Sequence, residues 1–410
     1  MVSGILIGIL GSAFLEALQL ADRARVWLID IARGYAFPGW LLAIFVALLA
    51  TAVAAWLAYR FAPQAPQSAE SDDLTKSEKQ KKSSNISVLS VNFFGTTLAV
   101  GSGLVLGPER PAIQMGGTIG KMIGRLFNLD KENTNTLLAA SGGAAVATMF
   151  NSPLGCAAYT VETVLKKASL RISLIALGIG SVAVAVVRLL LDRAVNYNVD
   201  MFPIASLHYL FFIVLLGCII SVLATLHVHI TLFIRKAFNM LKLPRIVKAG
   251  FIGAIFGYIA WASPMMIGMG DIQTQNVIDG IYPLSVMAML LGVRFFLGPL
   301  SLSANSPGGY FTPVLLLGAL CGGIYSILVS QWLDTSEVSH ITFVLVGMAV
   351  ALATIARSPF TGILLVIETT GTFSLALPMI IAVLSSMALS RVLQIPRLNH
   401  GLEVELAKHK

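Results

Sequence analysis

Two short motifs recur in this chain at a fixed distance. Asn151-Ser-Pro-Leu154, followed by Val161, Glu162 and Thr163, returns as Arg357-Ser-Pro-Phe360, followed by Ile367, Glu368 and Thr369. Ser152 and Ser358, Pro153 and Pro359, and Glu162 and Glu368 are each 206 positions apart. A second register pairs Pro111, Gly116 and Gly120 with Pro313, Gly318 and Gly322, each 202 apart, and sets Glu109 against Phe311. A fold that accommodates both registers must be built twice, over about 38–195 and again over about 203–400. Serine ahead of proline favours a helix start, with the serine as N-cap and the proline as first helical residue. Each half therefore presents helix N-termini directly after Gly- and Pro-rich breaks.

The solvent for these helices is lipid. Only 12% of the 410 residues are charged and 56% are hydrophobic, against about 25% charged in an average soluble protein. Mean hydropathy is +0.83, and stretches such as Leu41 to Tyr59 carry no charge. A soluble enzyme is excluded, and the chain is expected to be an all-α, polytopic membrane protein with one transmembrane domain over 1–410. Apolar segments fall near 3–20, 38–59, 86–106, 111–127, 134–150, 153–165, 172–191, 203–234, 249–265, 282–299, 311–333, 341–356, 359–371 and 373–393. Crossing the hydrocarbon core takes about 20 apolar residues, so segments of 13 to 17 predict tilted, broken or re-entrant helices. Such helices must end against protein or a water-filled cavity, because lipid cannot satisfy their terminal N–H and C=O groups. Broken helices mark a permeation or binding site. Paired N-termini meeting there, each worth about half a positive charge, attract an anion without a full counter-charge that would trap it.

The remaining composition narrows the choice. The net charge of +8 resides in clusters at Lys166, Lys167 and Arg171, at Arg235, Lys236, Lys242, Arg245 and Lys248, and at Arg391, Arg397, Lys408 and Lys410. These are expected to be cytoplasmic loops rather than a nucleic-acid surface. The first apolar segment lacks a small-residue cleavage site and is read as retained, in a bacterial inner or plasma membrane, with an organellar membrane as the alternative. Gln64 to Asn85, the one strongly polar stretch, reads as a solvated loop. Cys156, Cys218 and Cys321 stand in no CxxC or CxxH spacing, so neither a disulfide framework nor a zinc site is expected. His227 and His229 read as helix packing, and no metal or other cofactor is expected.

Gly101-Ser-Gly-Leu-Val-Leu-Gly-Pro-Glu109-Arg-Pro111-Ala-Ile-Gln114-Met-Gly-Gly117 resembles the CLC chloride channel and transporter family. Asn151-Ser-Pro-Leu154, Pro307-Gly-Gly-Tyr-Phe311-Thr-Pro313 and Arg357-Ser-Pro-Phe-Thr-Gly-Ile-Leu-Leu-Val-Ile-Glu368 look like that family's other helix starts, in its order. The resemblance covers about 38–400. It implies an inverted, antiparallel repeat of tilted and broken helices, a homodimer, and one anion pathway per subunit, without regulatory domains of the CBS type. It places Glu109 at the gate, a carboxylate that occupies the anion site and swings away when protonated. The implied anion-binding candidates are Ser68, Arg110, Ala112, Ile113, Tyr310, Phe311 and Asn399, and the proton path is Glu109, Glu162 and Thr163.

Several of these positions depart from the family pattern. Gln67-Ser-Ala-Glu-Ser71 stands where the family has Gly-Ser-Gly-Ile-Pro, which weakens close backbone approach at Ser68. Pro108 and Arg110 replace an arginine and a glycine around the gate, so the local positive charge changes side. Thr163 stands in place of the family's proton-relay glutamate and cannot titrate in the physiological range. Asn399 stands in place of a tyrosine. Glu162 and Glu368 read first as carboxylates capping neighbouring helices, with proton transfer as a second role for Glu162.

The expected function is transport of chloride or a similar small monovalent anion, gated by Glu109, as an anion/proton exchanger or slippery transporter. The alternatives are passive chloride conduction without proton coupling, which Thr163 favours, and transport of another anion such as fluoride or nitrate, which the changes at Ser68 and Asn399 favour. The expected partners are the anion, protons, the lipid bilayer and a second copy of the chain. An intramembrane hydrolase would need a nucleophile elbow or a helix histidine near Ser102 or Ser141, and neither is present in the sequence. A diverged homologue with a decayed site and a structural role is the remaining class.

Overall fold

A computed structural model describes residues 1–34, 38–62, 84–166, 169–192, 197–199, 209–331, 339–396 and 398. Nearly all of the polar stretch, including Ser68, lies outside the described residues, as do Asn399, Lys167, Arg397, Lys408 and Lys410. Two long helices, α1 (Val2–Gly34) and α2 (Gly39–Phe61), lead into the first repeat unit. That unit comprises α3 (Asn85–Gly101), α4 (Glu109–Leu126), α5 (Lys131–Phe150), α6 (Pro153–Tyr159) and α7 (Leu170–Leu191). The long α8 (Leu210–Met240), α9 (Arg245–Ala262) and short α10 (Asp271–Ile278) follow. The second unit comprises α11 (Leu284–Ser303), α12 (Phe311–Val329), α13 (His340–Ala356), α14 (Pro359–Thr370) and α15 (Ala376–Val392). Among the described residues, eight helices are long and apolar enough to cross a membrane, while α3, α13 and α14 are shorter apolar helices.

Segment ends differ from the expectation where charge was read as a boundary. The first helix continues past residue 20 to Gly34 because charge alone does not stop a helix. No glycine or proline interrupts it between Ser12 and Arg33, and Arg25 pairs with Asp22 at 2.5 Å while donating to the Val100 carbonyl at 3.2 Å. The segment expected over 86–106 instead stops at Gly101. Gly103 follows with φ +99°, a left-handed conformation that ends the helix.

The repeat is visible in packing and in backbone. α4 crosses α5 where a Cβ on Gly116 would sit 2.4 Å from the Ser141 carbonyl oxygen and one on Gly120 would sit 2.7 Å from that of Leu137. α12 crosses α13 in the same way, with Gly318 against Gly347 at 2.4 Å and Gly322 against Phe343 at 2.1 Å. Both contacts use small residues four apart, the device that lets membrane helices approach backbone to backbone. α5 and α13 each end in a left-handed residue, Asn151 at φ 53° and Arg357 at φ 55°, so the chain turns identically into α6 and α14.

Ser152 and Ser358 stand at N-cap positions as expected, but their side chains do not cap their own helices. The caps come from the opposite half. Glu162 accepts the N–H of Phe360 at 3.0 Å and of Thr361 at 2.8 Å, together with the Thr361 hydroxyl at 2.7 Å. Glu368 accepts the N–H of Gly155 at 2.9 Å and the Ser152 hydroxyl at 2.6 Å. A carboxylate is a stronger acceptor than a hydroxyl for N–H groups at a helix start; Ser152 accordingly donates to Glu368, while the Ser358 hydroxyl turns to the Ala356 carbonyl and the Thr163 hydroxyl.

Candidate functional site

The starts of α4 and α12 meet through a reciprocal pair of backbone hydrogen bonds. Gly107 N–H donates to the Gly309 carbonyl at 3.0 Å, and Gly309 N–H to the Gly107 carbonyl at 2.7 Å. The bridge is antiparallel and joins residues 202 apart. Equivalent residues that bond each other reciprocally sit about a local two-fold, which the inverted repeat requires at this point.

Glu109 breaks that symmetry. It is the first residue of α4 and is buried, with 1% of its surface exposed. Its Oε1 accepts the N–H of Phe311, the first residue of α12, at 2.6 Å. Among the described residues, Oε2 has no hydrogen-bond partner. The glycine bridge leaves room for the carboxylate. A Cβ on Gly309 would lie 1.9 Å from Oε1, and one on Gly107 would lie 2.1 Å from Oε2. The carboxylate of the first half thus sits at the helix N-terminus of the second, where the backbone favours a negative charge. A monovalent anion placed there would meet the same donor and would have to displace the carboxylate.

The other candidates divide around this contact. Arg110 is buried with its guanidinium 5.6 Å from the centre of the Tyr310 ring. Tyr310, in turn, packs against Phe311 with ring centres 5.3 Å apart. Ala112 and Ile113 are buried, and the Ala112 N–H is already engaged by the Pro108 carbonyl at 3.0 Å. Glu162 and Thr163 lie in a π-helical continuation of α6, Thr160–Leu165, a distortion common at functional positions. The Thr163 hydroxyl bonds that of Ser358 at 2.7 Å.

Gly107 and Gly309 were not singled out in the sequence, although the 202-residue register passes through both. Tyr159 was missed too. It is buried, with its ring 5.6 Å from that of Phe311 in an edge-on contact, and nothing in its apolar surroundings signals this role.

Comparison with known proteins agrees with the geometry. The model of the voltage gated chloride channel family matches residues 48–391. The H(+)/Cl(-) exchange transporter ClcA of Vibrio cholerae serotype O1 is 30% identical over 400 residues, covering 95% of this chain and 85% of the relative. The structure of a slow cyanobacterial Cl-/H+ antiporter superposes with a TM-score of 0.90 at 25% identity, over 99% of this chain and 97% of that one. A CLC-type fluoride/proton antiporter shares the fold, with a TM-score of 0.76 at 16% identity over 95% of each chain. A family match over most of the chain, on a duplicated helical membrane domain, establishes that this protein belongs to the voltage gated chloride channel family.

Proposed function

We propose that this integral membrane transporter exchanges chloride for protons, with Glu109 as gate and proton carrier. The observation that carries the reading is the Glu109 carboxylate on the Phe311 N–H within the cradle of Gly107 and Gly309. Deprotonated, the carboxylate holds the position an anion would take. Protonated, it is a weaker acceptor and gives way, so anion entry and proton uptake occur at one residue. Both the ClcA relative and the cyanobacterial neighbour carry chloride and protons in their names. No step requires a metal or other cofactor, and no bond of the cargo is broken, so this is transport and not an enzymatic reaction. Arg110 and Tyr310 are assigned to shaping the anion position, with Ala112 and Ile113 forming the wall of α4 behind it. Ser68 and Asn399 remain anion-site assignments that rest on the family resemblance. The active unit is assigned as a homodimer with one pathway per subunit, which mass photometry in detergent tests directly.

The second reading is passive chloride conduction. It is favoured by Thr163, whose hydroxyl is paired with Ser358 and cannot store a proton in the physiological range. Purified protein in liposomes decides between the two. A chloride gradient is imposed with voltage clamped by valinomycin and potassium, while internal chloride and external pH are recorded together. Proton movement against its gradient, driven by chloride, establishes exchange, whereas chloride flux without protons establishes conduction. Absence of chloride flux with flux of fluoride or nitrate would reassign the cargo.

A further inference from the structure

The glycine bridge is approached by two turns, and each turn begins where a broken helix stops, α3 at Gly101 and α11 at Ser303. Carbonyls in the last turn of a helix need partners from outside its own ladder, and lipid offers none. An arginine supplies a donor in both halves. Arg25 on α1 donates from Nη1 to the Val100 carbonyl at 3.2 Å, and Arg235 on α8 donates from Nη1 to the Leu302 carbonyl at 3.0 Å. Val100 and Leu302 are 202 positions apart, the register that also relates the two bridge glycines. α1 and α8, of 33 and 31 residues, are the long helices that run ahead of the two repeat units. A cation at a helix C-terminus is favoured by the helix dipole, so both contacts are stabilising where they stand.

The same register runs on through the turns. Gly103 at φ +99° and Asn305 at φ +53° are left-handed at equivalent positions, each four residues ahead of its bridge glycine. Beyond that the halves differ. The Val100 carbonyl also takes the Gly103 N–H at 2.9 Å, and Arg25 is tied back to its own helix through Asp22 at 2.5 Å. Arg235, 2% exposed, gives Nη2 to Asn305 Oδ1 at 3.1 Å, so its planar fork grips the end of α11 and the turn together. The Asn305 amide in turn donates to the Ser303 carbonyl at 3.3 Å. We propose that Arg25 and Arg235 are positioning residues of the gate, one per repeat half, which fix the two turns that meet at Gly107 and Gly309. They thereby set the contact of the Glu109 carboxylate with the Phe311 N–H. Arg235 carries the larger share because it holds the turn itself as well as the helix end. The assignment rests on Glu109 as the gate. Arg110 and Asp271, which act on the Glu109 charge directly, are unchanged in every variant below.

Chloride flux in liposomes, measured across pH for the full chain, tests the clamps. A deprotonated gate holds the anion position, so wild-type flux should fall as pH rises, and Glu109→Gln should flatten the profile. Purely structural damage removes active molecules and scales the flux equally at every pH. Loosened turns instead weaken the hold of Phe311 on the carboxylate. In Arg235→Gln the ratio of acid to alkaline flux should therefore fall by about tenfold, the equivalent of one hydrogen bond to a charged group. Arg25→Gln should lower the ratio less, and Arg235→Lys, which keeps the charge without the fork, should recover part of it. Asn305→Gly tolerates the left-handed backbone and removes only the second anchor, so it provides the readout if Arg235→Gln does not fold; a smaller fall is expected there. Added to Glu109→Gln, Arg235→Gln should change the ratio no further. A wild-type profile in folded Arg235→Gln, or in Asn305→Gly where Arg235→Gln does not fold, would overturn the clamp alone. An unchanged profile in Glu109→Gln would overturn the gate and the role of the arginines with it, so the two failures are told apart.

Discussion

The two ends of the repeat interface use the same frame to different ends. At the reciprocal caps, half 1 and half 2 each supply a carboxylate to the other, Glu162 to the start of α14 and Glu368 to the start of α6. At the glycine bridge, only half 1 supplies one, because the position equivalent to Glu109 is Phe311. Where both halves keep the carboxylate, the charges hold helices in place and neither N-terminus is left for an anion. Where only one half has it, a single carboxylate faces a single N-terminus, the position proposed to take the anion. In this chain, symmetry belongs to the structural contacts, and the departure from it falls at Glu109, the proposed gate.

The largest effect is expected at the glycine bridge. Gly309→Val would place side-chain atoms within the volume of the Glu109 carboxylate, since even a Cβ would lie 1.9 Å from Oε1. We expect loss of gated anion flux in liposomes, with folded protein still eluting as a discrete species in detergent. Normal flux in this variant would show that the cradle is not used.

At the caps, Glu162→Ala and Glu368→Ala should each destabilise the fold by about 1–3 kcal/mol, the range for leaving buried polar partners unsatisfied. Thermal unfolding in detergent measures this. A similar loss from both variants supports equivalent structural roles. Should Glu162→Ala abolish proton coupling while Glu368→Ala spares it, Glu162 acts in the proton path as well. A smaller effect, about 1 kcal/mol, is expected when Thr361→Val removes one of three hydrogen bonds to Glu162. Smallest of all should be Ser358→Ala, which loses the hydroxyl contact to Thr163. It should leave chloride flux within about fivefold of wild type, because a net hydrogen bond worth about 1 kcal/mol corresponds to a factor of about five. A large change in proton flux there would place the hydroxyl pair on the proton route.

Much of this geometry was legible in spacing. The 206-residue register located both caps, and the 202-residue register located the close helix pairs and set Glu109 against Phe311. Extended two residues toward the N-terminus, it would have found Gly107 and Gly309. What spacing does not carry is which half contacts which. Ser152 and Ser358 looked like self-capping serines because a local hydroxyl is the nearest acceptor in sequence, whereas the acceptors used are carboxylates more than 190 residues away. Helix ends were misplaced where charges stood for boundaries, as in α1. An isolated residue such as Tyr159 carried no pattern, since its contact with Phe311 is made across helices. His229 bonds the carbonyl of Thr225 on its own helix at 2.8 Å and His227 packs edge-on against Phe295, in keeping with their reading as helix packing.

The most direct test of the account is Glu109→Gln in liposomes, with chloride and proton fluxes recorded together under clamped voltage. Glutamine keeps the size of the side chain and removes its charge and its titration. Chloride flux should persist, lose its pH dependence and no longer be accompanied by protons. Proton movement coupled to chloride in that variant would contradict it.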